Sequence, residues 1–496
     1  MPDNAAEKLI LVLDEGTTST RAMLFTAAGA VRGTAQHDLT QFYPQDGWVE
    51  HDAAEIWDKT LAAARAMVTE AGGAQNIGCI GITNQRETIV AWDKITGVPL
   101  ARAIVWQDRR TAPMCEELRA AGHEAAISEK TGLLLDPYFS ATKMRWLLDN
   151  EPPVAEAAAR STLAFGTVES WLVWNLTGGA AHISDATNAS RTLLLPLAGA
   201  GWDAGLCALM GVPEDALPRV VDTSGVLAGS APDVLGAAIP ITGMAGDQQA
   251  ATIGQGCLAP GRVKATYGTG AFVLASTGAA VPRSTNRLLG TVLTQTAGAR
   301  RYALEGSVFV AGSLIKWLRD SLGLIASAAE TEPLARSVPD SGGVVVIPAL
   351  SGLGAPHWRP DVRGIISGLS FAAGKPQIAR AALEAMAHQT HDLAAAFAAD
   401  GAAWQDLHID GGMAANDWMA QDIADILGLP VCRPNSVETT ALGAAMLAAH
   451  GAQLYPSLEA AAEAMQGPSR RFTPSMEPPI RAARLAGWRA ALERVG

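Results

Sequence analysis

Two aspartates in this chain each close an apolar run and open a turn. Asp14 ends LILVLD and leads into EGTTSTRA; Asp247 follows IPITGMAG and leads into QQAATIG. A carboxylate at the end of a buried strand either holds Mg²⁺ where phosphates arrive, or hydrogen-bonds its own turn. Thr17, Thr18 and Ser19 can offer hydroxyls and amides to phosphate oxygens, and they are equally ordinary turn residues. A P-loop would place a lysine beside them; none is present, and Arg21 is the one nearby cation. Asp247 stands where a general base would take a proton from a hydroxyl, or where a helix needs an N-cap. In ITNQRETIVAWD, Arg86 and Glu87 sit between two apolar runs, either as a solvated ion pair or as a donor–acceptor clamp for a polyol. Trp106 in AIVWQDRRT is core or a flat wall for a small ligand.

Several other chemistries are absent from the chain. GxxxxGK[ST] does not occur; Gly374-Lys375 runs into Pro376 without the leading glycine. YGTGAFV and SGLGAPH contain GxG but not the third glycine of a dinucleotide loop. There is no HRD loop. The nine histidines form no HxxxH pair and no Ser/His/Asp pattern, so they read as structural or solvent-facing. Cys79, Cys115, Cys207, Cys257 and Cys432 are scattered without CxxC, which fits reduced thiols and supplies no zinc site.

The candidate residues need elements to hold them. Leu9–Leu13 is a short unbroken apolar run, which predicts a strand buried on both faces. Arg21–Thr26 can pair back on it, making a hairpin with a hydroxyl-rich loop. Ile77–Thr83 and Thr88–Trp92 read as strands. Ala53–Glu70, Ser140–Leu148 and Pro376–Phe397 carry helical spacing, with Pro376 at the first position of the last. KATYGTGAFVLAS (264–276) again reads strand, turn, strand, so the second half of the chain opens as the first does. HIDGGMAAND (408–417) reads strand, glycine turn, helix start, and TTALGAAMLAAHG (439–451) is a small-residue helix suited to close packing. Pro468–Pro479 reads as a surface loop before a short terminal helix. GQGCLAPGR (254–262) marks the boundary between two domains, 1–256 and 257–496.

At 496 residues the chain is too long for one core. With 49% hydrophobic and 17% charged residues it is an ordinary globular sequence. A net charge of −12 argues against nucleic acid or an anionic membrane as partner. The start, MPDNAAEKLILVLDEG, lacks a basic opening and a long apolar segment, so neither a signal peptide nor a membrane span is expected, and the location expected is cytoplasmic.

LDEGTTSTRA, QDGWVEHD, NQRET, WQDRRT, DPYFSATK, SDATNASRT, GDQQAA, YGTGAF, GLGAPHW and DGGMAANDW follow one another in an order that closely resembles the FGGY carbohydrate kinases. The combination of NQRET, WQDRRT and DPYFSATK is similar to their glycerol branch. The resemblance implies an α/β fold of two RNase H-like domains of the actin/hexokinase type, with the active site in the cleft between them. It implies transfer from ATP, with Mg²⁺, to glycerol, giving sn-glycerol 3-phosphate, by a homo-oligomer (dimer or tetramer). The polyol would lie against Arg86, Glu87, Trp106, Tyr138, Asp247, Gln248 and Phe272. The nucleotide would meet Thr17, Thr18, Ser19, Arg21, Gly268, Thr269, Gly312, Lys316, Gly412, Met413 and Asn416. Asp14 and Asp247 would serve the metal, and Asp247 would be the base. Another polyol or ketose (erythritol, a pentulose) and a non-catalytic actin-like sensor are the alternatives. Glu15 and Lys316 stand where this family more often has glutamine; Glu15 near the phosphates would repel them or strengthen metal binding. Residues 228–242 are short and lack the segments that some relatives use for feedback by a sugar bisphosphate or for control by phosphorylation.

Overall fold

The computed structural model describes residues 8–359 and 361–495. Thirteen of its strands build two large sheets. In the first half these are β1 (Leu9–Glu15), β2 (Ser19–Phe25), β3 (Val31–Asp38), β4 (Ile77–Asn84), β5 (Ser224–Gly229) and β6 (Pro240–Gly246), in the order β5-β6-β4-β1-β2-β3. In the second half they are β7 (Arg262–Tyr267), β8 (Ala271–Gly278), β9 (Leu289–Thr296), β10 (Ala299–Val308), β11 (Asp406–Asp410), β12 (Val431–Pro434) and β13 (Ser469–Phe472), in the order β9-β10-β8-β7-β11-β12-β13. Both sheets follow one plan. An antiparallel meander (β3-β2-β1; β9-β10-β8-β7) continues into two parallel strands (β4 and β6; β11 and β12) and ends in an antiparallel edge strand. The echo between LDEGTTSTRA and YGTGAF is thus a repeat of topology: two RNase H-like halves, α/β, of the actin/hexokinase type.

The unbroken run LILVL is explained by what covers it. Alternate side chains of a strand point to opposite faces. Leu11 and Leu13 pack in one core cluster with Ile56, Ala63 and Ala64 of helix α1 (Ala53–Glu70). Ile10 and Val12 pack in another with residues from the chain's other end. Six further helices are α2 (Asp247–Gly254), α3 (Gly312–Asp320), α4 (Lys375–Ala399), α5 (Asp417–Leu427), α6 (Thr439–Gly451) and α7 (Pro478–Leu492). Helix α6 supplies the second cover of β1, through Ala444, Ala445 and Ala448. Its small residues are required. A Cβ on Gly443 would stand 1.8 Å from the Ala250 carbonyl oxygen of α2, and one on Gly243 would stand 2.4 Å from the Ala448 nitrogen. Backbone meets backbone where α2 and α6 cross, so the segment that follows β12 closes over the first sheet.

Three expected boundaries shift. Asp14 and Glu15 belong to β1 rather than to the turn. Helix α4 begins at Lys375, one residue before Pro376. Residues 468–479 are not all loop: β13 pairs with β12 as the sheet edge, and α7 that follows is 15 residues long. SRRF lacks the apolar alternation of a strand because only Phe472 faces the core.

Candidate active site

The turn between β1 and β2 is closed by a hydrogen bond from the Gly16 nitrogen to the Ser19 carbonyl, 3.0 Å. Thr18 at its tip is exposed, while Thr17 and Ser19 are half-buried. Asp14 and Arg21 are paired across the strands and form an ion pair; Arg21 Nη1 also reaches Glu438 Oε2 at 2.7 Å, just before α6. The only cation of this loop is therefore held between two carboxylates at the mouth of the cleft. Burial pushes the Asp14 carboxyl up, against the pull of Arg21. Glu15 points the other way, because neighbours on a strand face opposite sides. It is wholly buried against α1 and accepts a hydrogen bond from Thr60 Oγ1 at 2.7 Å. Burial raises its carboxyl to about 8. Its side chain is thus turned away from the cleft, and burial favours its neutral form.

The end of β4 carries the next pieces. The Thr88 nitrogen donates to the Arg86 carbonyl at 2.8 Å, and Glu87 between them has φ +62°. This tight three-residue turn is strained for a non-glycine residue, and such strain gathers at functional sites. Arg86 and Glu87 are 3% and 1% exposed, which overturns the solvated ion pair. They barely touch each other, at 3.9 Å. Instead Arg86 forks onto Glu305 of β10, at 2.6 and 3.2 Å, and Arg191 Nε holds Glu87 Oε1 at 2.6 Å.

Asp247 is the first residue of α2 and not its cap; Gly246 holds the cap position. A Cβ on Gly246 would strike Arg86 Cγ at 2.6 Å, so this glycine lets the arginine pack beneath the helix start. The Asp247 side chain is 36% exposed and lies 3.4 Å from Arg86 Nε. Its Oδ1 accepts from the Gln248 nitrogen at 2.7 Å. Gln248 Oε1 in turn accepts from the buried Lys264 of β7 at 2.6 Å.

Three rings complete this pocket. Trp106 stands edge-on to Tyr138 (centroids 5.7 Å apart) and to Phe272 (6.5 Å), and its Nε1 donates to Thr17 Oγ1 at 3.0 Å. Trp106 is half-buried, a wall rather than core. Tyr138 is set by Ser140–Asn150, the helix that follows it, through Lys143 Nζ on the Tyr138 carbonyl.

The second half presents glycine loops to the same cleft. The Gly312 nitrogen donates to the Gly268 carbonyl, and Ser313 to that of Thr269. A Cβ on Gly312 would stand 2.6 Å from the Gly268 oxygen, so the start of α3 and this turn need bare backbone to meet. Gly411 has φ +88°, and Gly412 beside it is exposed. Gly411, Gly412, Arg21 and Glu438 line an open groove of about 610 Å³. Met413 is half-buried near Gly312. Asn416 caps α5, its Oδ1 accepting from the Met419 nitrogen. Lys316 lies exposed on α3. Gly412, Gly312, Gly268 and Thr269 are therefore brought together, whereas Asn416 is occupied with its helix and Lys316 faces solvent.

Asp14 and Asp247 suit a divalent cation. Both offer hard oxygens at the cleft, and the charge of Asp247 contributes to raising Asp14. Mg²⁺ is commonly held by one or two carboxylates together with phosphate oxygens. Among the described residues no group of three His, Cys, Asp or Glu side chains forms a protein-only metal cage.

Glu305, Arg191, Gln249 and Lys264 were not found from sequence. Arg191 lies in SDATNASRT with no spacing that links it to Glu87. The one available signal for Glu305 is a lone carboxylate on an inward position of an apolar strand.

Two family models match, the N-terminal domain of the FGGY family of carbohydrate kinases over residues 9–254 and its C-terminal domain over 263–452. This chain belongs to the FGGY family of carbohydrate kinases. It is 54% identical to a glycerol kinase of Alcanivorax borkumensis over 98% of both chains. It is 53% identical to a glycerol kinase of Rhodospirillum rubrum, again over 98% of both. A Plasmodium falciparum glycerol kinase solved with ADP superposes with a TM-score of 0.93 at 34% identity, covering 99% of this chain and 98% of that one. In an FGGY kinase the cleft between the two halves is the expected site, and here it is where the buried clamp, the open aspartate and the glycine loops converge.

Proposed function

We propose that this chain transfers the γ-phosphoryl group of ATP to glycerol, giving sn-glycerol 3-phosphate. The observation that carries the reading is the buried Arg86–Glu87 turn beside the open carboxylate of Asp247, under the rings of Trp106, Tyr138 and Phe272. Glycerol has a short carbon edge and three hydroxyls. The rings suit the edge; Arg86 and Glu87 offer one donor and one acceptor for two hydroxyls; the third is left facing Asp247 and the phosphate loops.

The chemistry asks little else of the protein. Phosphoryl transfer depends on in-line placement and on neutralising charge. Placement supplies roughly 7–11 kcal/mol in favourable cases. Asp247 takes the hydroxyl proton, a role worth about 10²–10⁴-fold. The backbone and hydroxyls of Thr17, Thr18, Ser19, Gly268 and Thr269 hold the phosphates, with Arg21 in the part of the absent P-loop lysine. For that, Arg21 exchanges Glu438 for phosphate. Gly312, Gly412 and Met413 take the nucleoside. Mg²⁺, held by Asp14 and Asp247, would neutralise phosphate charge. The two lobes part near residue 256, with α6 returning to cover the first sheet, and their closure keeps water from the phosphoryl group. We place the enzyme in the cytoplasm, a setting in which its five buried free cysteines stay reduced.

ATP consumption measured against glycerol, erythritol and pentuloses tests this. Glycerol should exceed every larger substrate by at least about 10²-fold in kcat/KM, as expected when extra polar groups must enter an aromatic slot. Preference for a tetritol or a ketose would overturn it.

A further inference from the structure

Arg86, Glu305, Arg191 and Glu87 close a ring of alternating charge. Arg86 meets Glu305 at 2.6 and 3.2 Å, Glu305 Oε1 meets Arg191 Nη2 at 3.0 Å, Arg191 Nε meets Glu87 Oε1 at 2.6 Å, and Glu87 faces Arg86 Nε at 3.9 Å. Every member is buried. We propose that Glu305 and Arg191 are positioning residues for the polyol, acting through Arg86 and Glu87. The inference rests on the glycerol reading above.

Stability alone does not account for such a ring. Taking four charges out of water costs so much that an apolar replacement of equal volume is often as stable or more so. What the ring does supply is orientation. Packing beneath the start of α2 holds the Arg86 stem, and the two-point grip of Glu305 fixes the plane of its guanidinium. That grip takes one N–H from each terminal nitrogen. The remaining contacts are loose: Nη1 to Gln249 at 3.3 Å, Nη2 to the Tyr138 hydroxyl at 3.4 Å and Nε to Asp247 at 3.4 Å. Nη2 and Nε are the edge that can turn to a hydroxyl. Arg191 treats Glu87 in the same way. It fixes Oε1, and among the described residues Oε2 accepts no hydrogen bond, which leaves it for a substrate O–H. The Arg191 guanidinium also lies over the rings of Tyr138 and Phe139, at 5.7 and 5.2 Å, so it backs a wall of the pocket.

The ring spans both halves of the molecule. Arg86, Glu87 and Arg191 come from the first half and Glu305 from β10 of the second. The donor is therefore aligned by a direct contact between the halves, and the acceptor through Arg191, which Glu305 also holds. Burial by itself would raise the Glu305 carboxyl, yet the two guanidiniums hold it down at about 2, so the grip on Arg86 is between charged groups; at Glu87 burial prevails over the pull of Arg86 and Arg191 and pushes the carboxyl up.

The test uses the full chain with Glu305→Gln and Arg191→Lys. Steady-state kinetics should show KM for glycerol rising at least about 30-fold while KM for ATP stays within threefold. Because Glu305 acts through Arg86, the Glu305→Gln loss in glycerol kcat/KM should shrink to under threefold in an Arg86→Lys background. Calorimetric ADP binding reports that each variant is folded. If Glu305→Gln does not bind ADP, Arg191→Lys, which keeps the charge, carries the test. Equal rises in both KM values, or additive losses in the double variant, would overturn the proposal. If the unaltered enzyme does not phosphorylate glycerol, the glycerol reading falls in that arm, before any variant is compared, and this inference falls with it.

Discussion

Replacing Asp247 by asparagine separates chemistry from binding in this site. The side chain is only partly buried, and its firm contact is with its own neighbour, the Gln248 nitrogen at 2.7 Å. Asparagine keeps that acceptor. Arg86 loses a partner 3.4 Å away but keeps the two-point grip of Glu305. The clamp for the other two hydroxyls therefore survives, and glycerol affinity should change less than about threefold. A half-exposed isosteric change of this kind alters stability by well under about 1 kcal/mol. What is lost is the proton acceptor, and with it one of the two anionic groups offered to Mg²⁺: kcat should fall at least about 10²–10⁴-fold, equivalent to roughly 3–5 kcal/mol of transition-state stabilisation. Coupled detection of ADP release gives kcat, and tryptophan fluorescence, with Trp106 in the pocket wall, gives glycerol binding. A kcat within tenfold of the parent, or a glycerol affinity weakened more than tenfold, would refute the division of labour between Asp247 and the Arg86–Glu87 clamp.

Glu15→Gln should change the pH dependence of stability. The unfolded carboxyl ionises near 4.5, whereas the folded one keeps its proton to about 8. The folded state thus binds the extra proton between these values, so this group's contribution to stability falls as pH rises from about 4.5 to 8 and is level above. Thermal melts should show the variant gaining over the parent across that window; parallel curves would count against a neutral Glu15. Gly443→Ala sets a Cβ 1.8 Å from the Ala250 carbonyl, so the crossing of α2 and α6 must spread, at a cost of about 1–3 kcal/mol or more. Urea unfolding should register that loss together with a lower kcat, since α2 carries Asp247. Gly487→Ala, in open space on α7, should instead gain about 0.5–1 kcal/mol.

Helices α1 and α6 were legible to the residue because their apolar and small positions recur at helical spacing between clear ends. The hairpin of β1 and β2 was legible for the same kind of reason, a continuous apolar run, a hydroxyl turn and a second run. Edge strand β13 was not, since an edge strand with one buried side chain has no alternation to read. At the site, Asp14, Arg86, Glu87, Trp106 and Asp247 stood out because each interrupts an apolar run or opens a turn. Whether Arg86 and Glu87 were solvated or clamped could not be read, because neighbouring charges look alike on a surface and in a core.

The sequence by itself determined the local elements, the family and the residue types that chemistry would need, since these depend on short-range periodicity and on motifs within single segments. Only the tertiary structure decided what those residues face. Glu15 turns from the phosphates because the pleat of β1 sends it to α1. Arg86 is aimed by Glu305, 219 residues away, and Glu87 by Arg191, 104 residues away. Contacts between segments so distant leave no spacing to detect; they exist because two sheets of one plan are brought together, and the cost of burying each charge requires a partner from whichever strand lies opposite.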